Sequence, residues 1–319
     1  WANTTSGEMY VCTDATAGDN VWVNIGGGDG DVEPYSFQGT THGYTAGGNT
    51  GGPFHDTIDK FTFASDADAT DVGNLTIARQ GNSGQLSGTH GYTSGGYGGP
   101  GYAPSNIIDK YAFATDGNAT DVGNLTQIKY YTAGQSSEFY GYVSGGYTSY
   151  LNVIDKITFA SDGNASDIGN LTVTRYGSAG HSSGTHGYTG GGYTGASSDV
   201  IDKFTVASDA NATDVGNLTV GRHTVAGQSS TTHGYSSGGV SSNVIDKFTF
   251  ASDANATDVG NLTVARQGAA GQSSTTHGYA TGGNPSLDVI EKFTFASNAD
   301  ATDVGNLTVD RTYAAGTHV

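Results

Sequence analysis

At 319 residues the chain is long enough for two ordinary domains, yet it carries 52 glycines, 19 Tyr and 12 Phe, too many aromatics for a disordered low-complexity tract. A formal charge of −18, from 30 Asp and Glu against 12 Lys and Arg, repels phosphate backbones and argues against a nucleic-acid partner. The single cysteine, Cys12, excludes an intrachain disulfide and a cysteine-based zinc cluster, and no apolar run reaches bilayer-spanning length, so membrane insertion is not expected.

The chain opens on Trp1 in place of Met and without a positively charged leader, which points to a processed product or to the ordered part of something longer. Residues 1–34 read as a connector module. EMYVCTD and NVWVNIG alternate as two strands, ATAGD between them is a turn, and GGGDGDVEP makes a flexible link. A lone hairpin is marginal in water, so Tyr10 and Trp22 are expected to pack on the side of the remaining chain or on another subunit.

From residue 35 to 319 three phrases march together. The first is IDKF and its variants, headed by Ile58, Ile108, Ile154, Ile201, Ile245 and Ile290 at steps of 50, 46, 47, 44 and 45 residues. The second is HGYxxGG, starting at His42, His90, His186, His233 and His277, with Tyr140 replacing His in the third copy. The third is GNLT followed by Arg79, Lys129, Arg175, Arg222, Arg266 and Arg311. In VIDKFTFAS, Ile245, Lys247 and Thr249 face one way, and Val244, Asp246, Phe248 and Phe250 the other, the period of a strand. The double glycine and the SDANATD segment are turn material. Each unit therefore reads as four strands, exemplified by QGAAGQS, THGYATGG, VIEKFTF and VGNLTV, and nothing repeats at helical spacing.

Four short strands in about 45 residues, repeated, predict an all-β, six-bladed propeller, because one such sheet buries too little apolar surface alone. A linear solenoid is the competing solution. Closure favours the ring, since Tyr313-Ala314-Ala315-Gly316 repeats the first-strand phrase and is placed to complete the first blade.

Kelch repeats place a double glycine after the second strand, a tyrosine in the third strand, an Arg near the end of the outer strand and a Trp in the fourth. HGYATGG at 277–283 and NLTVAR at 261–266 resemble that pattern over residues 35 to 319, although the Trp is absent and DVGNL stands in its place. Phrases such as IDKFTFASDANATDVGNLTVAR are more particularly similar to kelch-like repeat proteins of tailed-bacteriophage virions, marine phages among them, and the N-terminal module resembles connectors of phage tail and fibre proteins. The resemblance implies a virion-surface, extracellular location and neighbouring subunits, in a homo-oligomeric assembly, held through the N-terminal module. It also implies that the recurring Arg pairs with a carboxylate such as the IDK Asp.

Four sets of residues are candidates for chemistry. Asp66 and Asp68, Asp116 and Asn118, Asp162 and Asn164, Asp209 and Asn211, and Asp253 and Asn255 alternate oxygens as a calcium loop begins, but the later bidentate Glu is missing and the sixth copy starts with Asn298. Asx-turns closing the link to the outer strand are the preferred reading, with calcium the sole cofactor under consideration. The sequons at Asn118, Asn124, Asn211, Asn217, Asn255 and Asn261 would carry glycans in a glycosylating pathway and are turn residues in a bacterial or phage product. One His per copy suits a loop hydrogen bond better than a metal ring. Finally, the segments after each GG vary and carry Phe54, Tyr97, Tyr102, Tyr147, Tyr150 and Tyr193 among Gly and Ser, the composition of a binding surface for glycan or protein.

Enzymatic readings are weaker. A copper-radical oxidase needs a Tyr–Cys crosslink inside the ring, sialidase Asp-boxes are absent, and nearly every polar residue belongs to the repeat. The expectation is a non-catalytic virion adhesion protein, a terminal propeller on a tail or head fibre touching host glycan or protein. A ligand-free structural subunit of a filament or surface layer is the alternative, and a glycan-processing propeller enzyme the third.

Overall fold

Alternating β-branched and aromatic residues between Gly-rich turns leave the chain no option but strands, and the computed structural model, which describes residues 10–14, 21–24 and 36–319, is all β. It divides into two compact units, Trp1–Ser36 and Phe37–Val319. In the first, Tyr10–Asp14 pairs antiparallel with Val21–Asn24, with Val11 opposite Val23 and Cys12 opposite Trp22. Trp22 is exposed, whereas Tyr10 is buried. The expected turn at 15–19 and the linker at 26–34 lie outside the described residues.

In the second unit one four-stranded antiparallel sheet recurs. It is typified by Ala179–Ser182, His186–Gly190, Val200–Thr205 and Thr213–Asn217, paired in that order. The sheets built around Ile108, Ile154, Ile245 and Ile290 share this order, in the manner of propeller blades. The sheet around Ile58 draws its first strand from the far end of the chain: Ala315–His318 pairs with His42–Ala46, Ala315 opposite Ala46 and His318 opposite Gly43. That is the partnership the repeat phrase predicts.

The fourth strand differs from expectation. VGNLTV was to be the strand and NATD the turn, but the strand is Thr257–Asn261 and its equivalents, and Leu262 ends the run as a buried plug. Polar Thr257 and Asp258 face solvent at the sheet edge, so no hydrophobic alternation marks the start. Every third and fourth strand also meet across a bulge, at Ile201/Asp202 for instance.

Consecutive sheets are joined through the third strand, whose two faces read different neighbours. Ile201 packs with Tyr188 and Leu218 against Phe248 and Ala256 of the next sheet, whereas Phe204 packs against Tyr142, Ile154 and Leu171 of the preceding one. The same division holds between the last sheet and the first, where Tyr279, Ile290 and Leu307 meet Phe61 and Ala69. First strands approach one another at glycine: a methyl group on Gly180 would collide with the carbonyl oxygen of Gly134, and one on Gly227 with that of Gly180. Only glycine lets these backbones come so close.

The faithful phrase NATDVGNL is explained by what it touches. Its Asn255 side chain accepts the backbone N–H of Asn217 in the preceding copy at 3.0 Å, and Ala256 N–H donates to the Asn217 carbonyl at 2.8 Å. Each copy of the phrase thus reads the copy before it.

Candidate functional site

The two ends of each sheet carry different chemistry. At the junctions, the IDK carboxylate is buried and held from the preceding copy. Asp202 accepts the backbone N–H and hydroxyl of Thr172 at 2.9 and 2.6 Å and pairs with Arg175 at 2.7 Å. Arg175 also donates to the carbonyls of Gly191 and Val200 at 3.0 and 2.8 Å. Burial pushes its guanidinium pKa down and Asp202 pushes it back. The pattern recurs at Arg79–Asp109, Lys129–Asp155, Arg222–Asp246, Arg266–Glu291 and Arg311–Asp59. The partner implied for the recurring Arg by the kelch resemblance is the one it has.

The D-x-N residues are employed in the same way. Lys60 reaches Asp116, Lys110 reaches Asp162, Lys156 reaches Asp209 and Lys292 reaches Asp66, each at 2.5 Å, and Lys203 reaches Asp253. Asn118, Asn164, Asn211 and Asn255 and, in the first copy, Asp68 each accept an Asn N–H from the preceding copy at 2.9 to 3.0 Å. Their oxygens stitch sheets together, and no three His, Cys, Asp or Glu among the described residues gather into a metal cluster. The recurring histidines are likewise local: His90, His186, His233 and His277 each bond the hydroxyl of the preceding Thr at 2.8 Å. Burial holds all four pKa values below the usual histidine value.

The segments after the double glycines form the other region. All six aromatics expected there come together, through residues the sequence reading did not select. Phe54 lies 5.8 Å from Tyr97 and 5.3 Å from Tyr102, while Tyr147 and Tyr193 lie 5.5 and 6.3 Å from Tyr150. Tyr130 joins the groups, 5.3 Å from Tyr97 and 5.4 Å from Tyr147. Tyr176 continues the row, 4.9 Å from Tyr147 and 5.4 Å from Tyr193, and His223 ends it 4.9 Å beyond Tyr193. Most neighbouring rings are tilted or edge-to-face, the arrangement their quadrupoles favour. The row is half-buried, with Tyr102 63 % exposed.

The backbone explains why these rings meet. The residue after the Arg or Lys pairs with the residue after the double glycine, Gln80 with Tyr97, Tyr130 with Tyr147 and Tyr176 with Tyr193, while His223 and Val240 share one backbone hydrogen bond. The equivalent pairs Gln267–Asn284 and Thr312–Asn49 are polar, so the aromatic row covers part of the face, with amides and a hydroxyl at these two pairs. The missed signal was the variation Gln80, Tyr130, Tyr176, His223, Gln267, Thr312 beside a nearly constant cation.

One residue further on, a chain of backbone hydrogen bonds links first-strand approaches. Tyr131 N–H donates to Gly81 O at 2.6 Å, Gly177 to Tyr131 at 2.7 Å, Thr224 to Gly177 at 2.5 Å and Gly268 to Thr224 at 2.9 Å. Tyr313 N–H then donates to Gly268 O, and Gly81 N–H to Tyr313 O, both at 2.7 Å. Tyr131, Thr224 and Tyr313 hold φ of 54°, 56° and 58°, a left-handed backbone strained for a side-chain-bearing residue. Glycine alternates with them because a methyl group on Gly268 would strike the Tyr313 ring. The Tyr131 and Tyr313 rings meet at 5.0 Å, and the rim they share lines a cavity of about 110 Å³ with Asn82, Ser83, Thr132 and Ser178. That lining contains glycines, hydroxyls and small apolar groups and no Asp or Glu. No protein-family model matches this chain, and none of the curated proteins is similar to it.

Proposed function

We propose that residues 37–319 form a closed, six-bladed kelch-like propeller. The protein would be a non-catalytic adhesion component of a tailed-phage virion, displayed at the virion surface on a tail or head fibre. The observation that carries the binding reading is the aromatic row: nine tyrosine, phenylalanine and histidine side chains from successive repeats on one face. Rigid aromatics among small polar residues make contact area at low entropic cost, suited to host surface glycan or protein. The non-catalytic part draws support from the cavity lining, which offers no carboxylate pair for acid–base work. The virion assignment rests on the resemblance of the repeat phrases.

Closure is supported by contacts that return to their starting point. Gly316 stands between Gly271 and Gly84 as Gly180 stands between Gly134 and Gly227, Lys292 reaches back to Asp66, and the Tyr313 carbonyl accepts from Gly81. Projection images down the axis should show six lobes; an open arc or another number overturns the ring. A propeller carrying Tyr97→Ala, Tyr147→Ala and Tyr176→Ala should bind host cells at least about ten-fold more weakly, since central aromatics dominate such interfaces. Unchanged adhesion by the folded triple variant would remove the face from the proposal. A second role, attachment to neighbouring subunits, is favoured at the N-terminal hairpin, where Val11, Trp22 and Val23 are 44 %, 40 % and 36 % exposed.

A further inference from the structure

We infer that the aromatic row selects uncharged carbohydrate and turns away sulfated, phosphorylated and carboxylated glycans. This rests on the binding reading above and narrows it to a ligand chemistry.

The charge inventory carries the inference. The chain has 12 Lys and Arg, and every one is committed elsewhere. Five Arg and Lys129 are buried against the IDK carboxylates. Lys60, Lys110, Lys156, Lys203 and Lys292 reach the Asp of the next copy, and Lys247 donates to Asn298 at 2.8 Å. None remains for the loop face. The two histidines placed there are neutral by burial: His223, bonded to Ser197 at 3.0 Å, and His55, bonded to Thr50 at 3.4 Å, both have pKa values below the ordinary one. An anionic group docking on the row would lose its water without gaining a counter-charge, which is costly. The overall charge of −18 opposes its approach as well.

What the face does offer suits a neutral sugar. A pyranose has a C–H face that is weakly positive and packs on the negative face of a phenol, and a rim of hydroxyls that need both donors and acceptors. Beside the tyrosines lie Gln80, Thr148, Ser149, Thr194 and Ser197, amides and hydroxyls that supply both. Desolvation raises the pKa of Tyr130 and Tyr176, so their phenols stay protonated donors. A protein interface draws its anchors from Trp, Met and Arg as well as Tyr. Here both Trp and the one Met belong to residues 1–36, and every Arg is buried in a junction.

The test uses the full chain and hexasaccharides of glucose, mannose and N-acetylglucosamine, each beside its sulfated derivative, with a lysine hexapeptide as the cationic probe. At least one neutral hexasaccharide should bind, about ten-fold or more tighter than its sulfated form. Tyr130→Ala with Tyr176→Ala should abolish that binding while the protein still melts cooperatively, with Tm lowered by only a few degrees. Gln80→Lys, which adds a cation beside Tyr97, should raise affinity for the sulfated form. Tighter binding of the sulfated sugar to the native face overturns the inference and leaves the binding reading standing. Binding of the lysine peptide alone also overturns it, in favour of a cationic ligand. Binding of no probe, while host cells are still bound, overturns the carbohydrate assignment; loss of both removes the binding face itself.

Discussion

The sheet junctions and the loop face are built from the same repeat and obey different rules. At the junctions GNLT is kept in every copy, the cation after it is Arg in five and Lys129 in one, and the carboxylate it meets is Asp in five and Glu291 in one. On the face, the very next residue runs Gln, Tyr, Tyr, His, Gln, Thr. The difference follows from what each position touches. A junction residue reads the neighbouring copy, so a change must be matched there; a face residue meets its bridge partner and solvent, so it varies at small cost. Repetition marks the scaffold, and departure from it marks the face proposed to bind.

The strongest way to break that division is at a buried pair. Arg175→Ala leaves Asp202 charged, fully buried and stripped of its cation, and should cost about 3–5 kcal/mol in denaturant melts. Replacing both partners with apolar residues of similar volume should recover much of the loss, because no charge is then stranded. Tyr176→Ala, one residue along and half-buried, should cost far less in stability. If the two single variants melt alike, the distinction between scaffold and face fails.

That division sets how much was legible. Strand number, strand order and the pairing of Ala315–His318 with the first sheet followed from repeat spacing, because each copy must present the same edges to its neighbours. The start of the fourth strand was not, since Thr213 and Asp214 are exposed and carry no apolar alternation. The loop aromatics were legible by composition. Tyr130, Tyr176 and His223 were not, because they sit beyond the fourth strand and only backbone pairing with Tyr147, Tyr193 and Val240 brings them to the face. The D-x-N oxygens look like ligands in one copy, and their partners are visible only when two copies stand side by side.

A second test lies at one of the two copies that break the junction rule, the other being the first, where Thr317 stands at the same position. Gln85, Gln135, Gln228 and Gln272 occupy a position that His181 takes in the fourth copy. Gln135 donates to Thr189 Oγ1 of the next sheet at 3.0 Å, and His181 Nε2 meets the equivalent Ser236 Oγ at 3.1 Å. Complete burial lowers the His181 pKa to about 4, so it stays neutral in the fold while the unfolded chain protonates it from about pH 6.5. Between those values the unfolded state binds more protons, and stability falls as pH drops from 6.5 towards 4. At about 1.4 kcal/mol per unit, the contribution is up to about 3 kcal/mol. His318, also lowered to about 4, acts in the same direction from the strand that completes the first sheet. His181→Gln should flatten part of the acid limb of a stability–pH curve and leave stability near pH 8 little changed. An unaltered acid limb would show that this histidine is not held neutral.

The smallest effect is expected at the Lys–Asp pairs, and it bears on why a weak contact is repeated. These pairs are partly exposed, about 54 % at Asp116, so each is worth no more than about 1 kcal/mol and is screened by salt. In the sixth copy the order is reversed: Asn298 meets Lys247 at 2.8 Å, and Asp300 takes the backbone-accepting role at 2.8 Å to Asn261. The first copy, with Asp66 and Asp68, shows that two carboxylates fit the turn, one on Lys292 and one on Asn306. Asn298→Asp should therefore fold normally and raise stability by a few tenths of a kcal/mol at low salt, fading near 1 M as the pair is screened. A gain of several kcal/mol, or one indifferent to salt, would mean that these pairs hold the sheets together. A small, salt-sensitive gain leaves them the role their position suggests: matching each copy to the next while buried carboxylates, apolar clusters and close-packed glycines supply the stability.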